Sequence, residues 1–276
     1  MRNLFLYFLV LVAFQMLARY RSSSADPKPP IVELNPDDLG AGAVRPPSRD
    51  DESVLVEGGG PRQSSSGTAF SLGNGVWMSA AHVAKDCDRT YILTGQGGWG
   101  SDRVRAYSNI SQRSDLSVLT TDWEKPAFVL ASPRDLQRNQ TAFFVGYPQG
   151  LAGEVTGKLV GRGRAIFAGR RHRAEPVLVW AITGRSKGMS GTVGGISGGP
   201  VFDARGQVIG VTIAETMRRG RLYSAAPRSI HKAVSKWGVK PKSPVAAGVF
   251  SQTDYADQGD YLRATGRVVK VICMVD

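Results

Sequence analysis

A serine crowded by small residues, Gly195-Ile196-Ser197-Gly198-Gly199-Pro200, is the first place in the chain where chemistry could occur. An alcohol is a feeble nucleophile alone and needs a neighbouring base to take its proton as it attacks a carbonyl. The glycines let the backbone turn N–H groups toward one point, where the negative oxygen of a tetrahedral intermediate would sit. Gly195 and Ser197 are the expected donors. A base that works near neutral pH must come from three histidines, His82, His172 and His231. His172 lies in Gly169-Arg170-Arg171-His172-Arg173, whose cations oppose protonation of the ring, and His231 lies beside Lys232 on an expected helix. Both read as solvated surface residues. His82, in Trp77-Met78-Ser79-Ala80-Ala81-His82-Val83, follows an apolar run and two alanines that leave room for an imidazole. Such a base needs a partner on its second ring nitrogen to fix tautomer and orientation. Asp115 fits, because in Ser114-Asp115-Leu116-Ser117-Val118-Leu119 it opens a strand with Leu116 and Val118 on one face. A competing serine, Ser190 in Gly188-Met189-Ser190-Gly191, lacks the Gly-Pro continuation and the strand that follows it.

Positioning these residues falls to short β runs broken by turn chemistry, from residue 52 to about 240. A hairpin is expected from Gly67–Ser71 and Val76–Ser79 around Leu72-Gly73-Asn74-Gly75, residues that tolerate positive φ. Further strands are expected at Thr90–Leu93, Arg103–Ser108, Leu116–Thr120, Thr141–Gly146, Gly157–Phe167, Val177–Ile182, Pro200–Phe202 and Val208–Ala214. So many strands in so short a body predict an all-β fold of two closed barrels, since closure removes exposed edges. A helix from about Arg228 to Trp237 ends that body. Residues 241–276 are too short for a second ordinary domain and finish in a β-branched run, Arg267 to Val275, that reads as one more strand.

The chain has 276 residues, 42% of them hydrophobic, which excludes disorder throughout. Glycine, 33 residues, exceeds the usual share of about 7% without any G-X-Y period, so collagen-like readings fail. An apolar run from Leu4 to Ala18, with Gln15 as its one polar residue, makes residues 1–25 an expected export signal. It is either cleaved after Ala25 or kept as a membrane anchor, and the body then lies outside the cytoplasmic membrane, periplasmic or secreted. Residues 26–51, rich in Pro, Gly, Asp and Arg, are expected to form a flexible linker. Cys87 and Cys273 are too few for a thiolate zinc site and either pair or remain two buried thiols.

The order His82, Asp115, Ser197, with the strings W-M-S-A-A-H-V, S-D-L-S-V-L and G-I-S-G-G-P-V, resembles the trypsin-like (chymotrypsin-fold) serine endopeptidases. The bacterial HtrA-like and glutamyl-endopeptidase-like branches are the most similar. The resemblance covers about Ser64 to Val239 and implies two six-stranded barrels with His82 and Asp115 from the first, Ser197 from the second, and an acyl-enzyme mechanism without metal or organic cofactor. It also implies that the strand Val211-Thr212-Ile213-Ala214-Glu215 binds substrate, through Thr212, Ile213 and Ala214, and that Gly188–Gly194 is the loop entering the site; the small residues of that loop suggest mobility. Thr212 stands where the glutamyl-specific branch has histidine, so cleavage after glutamate is disfavoured, while Glu215 either attracts a basic side chain or faces solvent. Two features depart from the family: Val83 replaces the cysteine of animal members, and the residues after Val239 leave no room for a PDZ domain.

The net charge of +12 includes clusters at Arg162–Arg164, Gly169–Arg173 and Arg218–Arg221, expected at hairpin turns. They are either solvated or in contact with an anionic membrane surface. Nucleic acid is not an expected partner; a protein or peptide substrate is. The rival reading is a catalytically silent fold that binds peptides or envelope polymers.

Overall fold

The computed structural model describes residues 42–56, 62–95, 102–133, 136–167 and 173–276. The apolar N-terminal run and most of the expected linker lie outside them. Thirteen strands and three α-helices occur among the described residues.

The first barrel uses β2 (Ser65–Gly73), β3 (Val76–Ser79), β4 (Arg89–Leu93), β5 (Arg103–Ile110) and β6 (Ser117–Thr120). The expected hairpin is present, with Asn74 at φ 52° in its turn. Its sixth member is the final strand, β13 (Val268–Met274), which lies antiparallel between β2 and β4 and closes the barrel. The terminal strand expected beyond the barrels is thus a stave of the first one. A disulfide joins Cys273 on that strand to Cys87, just after the four-residue helix α1 (Ala81–Ala84) that carries His82.

The second barrel runs β8 (Gly153–Phe167), β7 (Thr141–Gly146), β10 (Pro200–Phe202), β11 (Val208–Thr216), β12 (Arg221–Ala225) and β9 (Arg173–Arg185), with β9 pairing back onto β8. The strands β8 and β9 exceed the expected lengths. A short strand β1 (Ser53–Val56) adds in parallel to the far end of β8. Part of the expected linker is also fixed: the Val44 amide donates to Leu136 O (3.2 Å), and the Arg162 side chain donates to Arg45 O (2.7 Å). Arg162 and Arg164 therefore lie within a strand and hold the chain that enters the body, rather than forming a solvated hairpin turn.

Helix α2 (Pro227–Lys236) matches the expected one, with Ile230, Ala233 and Val234 buried. His231 on it is half-buried, with Nε2 2.9 Å from Ala131 O, a structural contact rather than a solvated one. A third helix, α3 (Tyr255–Ala264), was not expected; its apolar residues lie all round rather than on one stripe. An aromatic seam joins the barrels: Phe128, between them in sequence, lies 6.2 Å from Phe70 of β2 and meets Phe202 edge-on at 5.1 Å, and Phe250, from the segment after the second barrel, stacks on Phe202 (5.1 Å) and Phe143 (5.2 Å).

The disulfide closes a loop with a sequence separation of 186, so its loss should cost about 2–5 kcal/mol. Cys87→Ser with Cys273→Ser should lower the urea midpoint accordingly, whereas an unchanged midpoint would mean that strand pairing alone fixes β13.

Candidate active site

The short helix α1 begins at the end of β3, and the turn before β6 brings Asp115 beneath it. That turn is pinned by Ser111 Oγ, which accepts the amides of Arg113 and Ser114 at 3.2 Å each. The carboxylate accepts twice from one residue: His82 Nδ1 lies 2.7 Å from Asp115 Oδ2, and the His82 backbone N–H donates to Oδ1 at 3.0 Å. Both the ring and the main chain of His82 are thereby set. The Asp115 side chain is 3% exposed and that of His82 34%, so one edge of the ring remains open to the cleft. The second barrel supplies a residue the sequence did not reveal: Glu175 on β9, whose Oε1 accepts the Asp115 N–H at 3.0 Å.

Ser197 comes from the turn before β10. Its carbonyl accepts the Thr68 N–H at 2.8 Å, and the next residue, Gly198, presses directly on the first barrel. A Cβ at Gly198 would stand 2.1 Å from Thr68 O and 2.9 Å from the Ala80 amide, so no larger residue fits, and the φ of 86° independently favours glycine. This contact lies two residues from His82. The hydroxyl of Ser197 makes no hydrogen bond to the His82 ring; such contacts commonly tighten only when substrate binds.

The amides around Ser197 are divided in a telling way. Those of Val193, Gly194, Ile196, Gly198 and Gly199 each have an acceptor: Glu215 Oε2, Thr192 Oγ1, Val193 O, Thr212 O and Ile196 O. Among the described residues, those of Gly195 and Ser197 have none. The Gly194 carbonyl accepts the Gln149 N–H at 2.5 Å, and in a trans peptide C=O and N–H point opposite ways, so the Gly195 N–H is turned away from Gln149. Gly195 has φ 96°, and a Cβ there would meet Tyr147 O at 2.6 Å. Thr68 completes the clamp: its Oγ1 accepts the Tyr147 N–H (3.1 Å) and donates to Gly195 O (2.9 Å). Nothing in the local sequence of Thr68 marks it for this role.

The expected substrate strand is less open than anticipated. The side chains of Thr212 and Ile213 are buried, with Ile213 in the core, and only Ala214 is half-exposed beside a bulge. The Thr212 main chain is also engaged, its N–H by Gly199 O and its carbonyl by the Gly198 amide, so what this strand can offer a substrate is backbone beyond Thr212. Glu215 neither faces solvent nor stands free for a cation: Oε2 accepts from Thr192 Oγ1 (2.7 Å) and the Val193 amide (2.9 Å), and Arg185 lies 3.8 Å from Oε1. The loop 188–194, expected to be mobile, is tied by these bonds and by Arg185 to Gly191 O (2.7 Å). Ser190 is exposed and offers only its carbonyl, to Gln149 Nε2. His172 lies outside the described residues. No group of three His, Cys, Asp or Glu side chains that could hold a metal occurs among the described residues.

The sequence pattern of the trypsin-like peptidase domain matches residues 67–211, just over half of the chain, and the chain belongs to that family. HhoA of Synechocystis sp., named as a candidate serine protease, is 26% identical over 203 residues, covering 70% of this chain and 49% of its own. The chain thus spans about half the length of the curated relative it matches. The active form of the Rv3671c protease from M. tuberculosis is a structural neighbour with TM-score 0.52 and 19% identity, covering 66% of this chain and 77% of that one. Its inactive form gives TM-score 0.50 at 18% identity, with 62% and 83% covered. These likenesses support the fold.

Burial of the His82 ring works against its charged form, but the Asp115 carboxylate, by charge and hydrogen bond, outweighs that and raises the pKa above the ordinary 6.5. A folded-state pKa above the unfolded one adds stability that is fully present below the unfolded value and is lost as pH rises through the folded one. An NMR titration should therefore place the His82 midpoint above 6.5. Asp115→Asn removes the charge that raises it and should lower the midpoint relative to the unmodified protein; a midpoint that does not respond would contradict the pairing.

Proposed function

We propose that the protein is an exported serine endopeptidase that hydrolyses peptide bonds through an acyl-enzyme. Ser197 attacks the carbonyl, His82 takes its proton and returns it to the leaving amine, and Asp115 holds the ring and stabilises the imidazolium. The amides of Gly195 and Ser197 donate to the oxyanion. The observation that carries this reading is the coincidence of two independent features: a buried carboxylate on the inner nitrogen of His82, and two acceptor-free amides flanking Ser197 in a run where every other amide is used. A silent binding module has no need of free amides at those two positions.

Substrate backbone is expected to add to β11 beyond Thr212, where β10 no longer pairs with it. With Glu215 engaged by its own loop, preference for a basic side chain is not expected. Export rests on the apolar run from Leu4 to Ala18; among the described residues no helix is long and apolar enough to cross a membrane. For contact with an anionic membrane surface, Arg219 is ion-paired with Glu52, while Arg162 and Arg164 keep their charge but are tied to Arg45 O and Arg49 O.

A fluorophosphonate probe should label the protein at Ser197, with labelling lost in Ser197→Ala and His82→Ala. Asp115→Asn should retain folding but lower kcat by about 10⁴. Labelling that survives Ser197→Ala would overturn the assignment. The acid limb of kcat/KM should have its midpoint above 6.5, since the ring must lose its proton to act as base.

A further inference from the structure

The loop from Gly146 to Gly150 is held at both ends by cations from the chain's last segment. At one end Arg263 of α3 donates Nη1 to Gly146 O at 3.3 Å; at the other Lys270 of β13 donates Nζ to Gly150 O at 2.9 Å. Arg263 is itself buried and ion-paired with the buried Glu154 of β8, and its guanidinium lies 5.9 Å from the Tyr147 ring. Both donors therefore sit on elements with fixed places: α3 through that ion pair, and β13 through the first barrel and its disulfide.

Between these two ends stands Gln149, in the left-handed region at φ 51° and ψ 26°. A non-glycine residue keeps that conformation only where its surroundings demand it. Here the demand is visible. The Gln149 backbone N–H takes Gly194 O at 2.5 Å, and its side-chain Nε2 takes Ser190 O and Thr192 O at 2.8 Å each. One residue thus grips three carbonyls of the loop leading to Ser197, including the peptide whose far side is the Gly195 N–H.

We propose that Lys270 and Gln149 are positioning residues: Lys270 fixes the Gly150 end of the loop, Gln149 then fixes the Gly194–Gly195 peptide, and the Gly195 N–H is held ready for the oxyanion. The inference rests on the serine endopeptidase reading and assigns the C-terminal segment a part in turnover. Without the Lys270 contact the loop retains its anchors at Gly146 and Tyr147 and the Gly150 N–H to Tyr147 O bond, but the Gly150 carbonyl is released and Gln149 beside it can shift. The peptide can then rotate, and the amide no longer meets the developing charge. Such a fault acts on the transition state and leaves binding of the substrate backbone along β11 largely intact, so it should appear in kcat rather than KM.

The test compares Lys270→Met, Lys270→Arg and Gln149→Asn in the full chain with its disulfide formed. Asparagine tolerates the left-handed backbone but is too short to reach Ser190 O and Thr192 O, and its exposed position keeps the core out of the comparison. Loss of one oxyanion donor typically costs about 10²–10³ in kcat, so partial loss of its placement should cost about tenfold or more. The expected result is such a fall in kcat for Lys270→Met and Gln149→Asn, KM within about twofold, thermal midpoints unchanged, and recovery of most of the rate in Lys270→Arg. Unchanged kcat in both variants, or a loss confined to KM, overturns the inference while wild-type labelling at Ser197 keeps the endopeptidase reading intact. Absence of labelling in the unmodified protein overturns that reading and this inference together.

Discussion

The Asp115 carboxylate takes both the ring nitrogen and the main-chain N–H of His82, and a carboxylate so placed needs support on every side. An unpartnered buried charge would be costly. His82 partners the charge, and both barrels fix where the carboxylate stands: the turn pinned on Ser111 before Asp115, Ser117 Oγ donating to Ala80 O at 3.0 Å, and Glu175 of β9 accepting the Asp115 amide. The first barrel alone would set the ring; the second sets the acid that sets the ring.

The other half of the proposed machinery depends on an equally tight approach of backbones. Gly198 lies against Thr68 and Ala80, and Gly195 lies against Tyr147, so the serine turn is wedged between β2 and the loop after β7. Thr68 serves both contacts, through its amide to Ser197 O and its hydroxyl to Tyr147 and Gly195. Because β13 closes the first barrel beside β2, the last residues of the chain support the strand that carries Thr68 as well as the loop that carries Gln149. The terminal segment is structurally continuous with the site, although it lies far from it in sequence.

How much of this can be read from the sequence follows from the range of each interaction. The hairpin before His82, the strand after Ser197 and the helix at 227–236 are written in local alternation, turn residues and apolar spacing, and those elements were legible. The pairing of His82 with Asp115 was legible too, since a base near neutral pH and its partner admit few side chains, while Ser197 is proposed as their nucleophile. Pairings were not legible. That β13 sits between β2 and β4, or that β1 runs parallel to β8, depends on partners far away along the chain, and an apolar strand carries no label for its neighbour. β12 was hidden by the arginines and glycine at its start, and α3 by a glycine and apolar residues that form no stripe. Glu175, Thr68, Gln149 and Lys270 make contacts to residues far away in sequence, which only the assembled fold creates. The ties of loop 188–194 were not legible either, since its small residues carry no sign of the bonds that Glu215, Arg185 and Gln149 make to it.

The most direct measurement is a crystal structure of the protein treated with a peptidyl boronic acid, which becomes tetrahedral on a nucleophilic alcohol. The account predicts boron bonded to Ser197 Oγ, one boronate oxygen about 3 Å from both the Gly195 and Ser197 amides, and the His82 ring still on Asp115 with its outer nitrogen at the adduct. Boron on another side chain, an adduct whose oxygen avoids those two amides, or a His82 ring turned off Asp115 would contradict it.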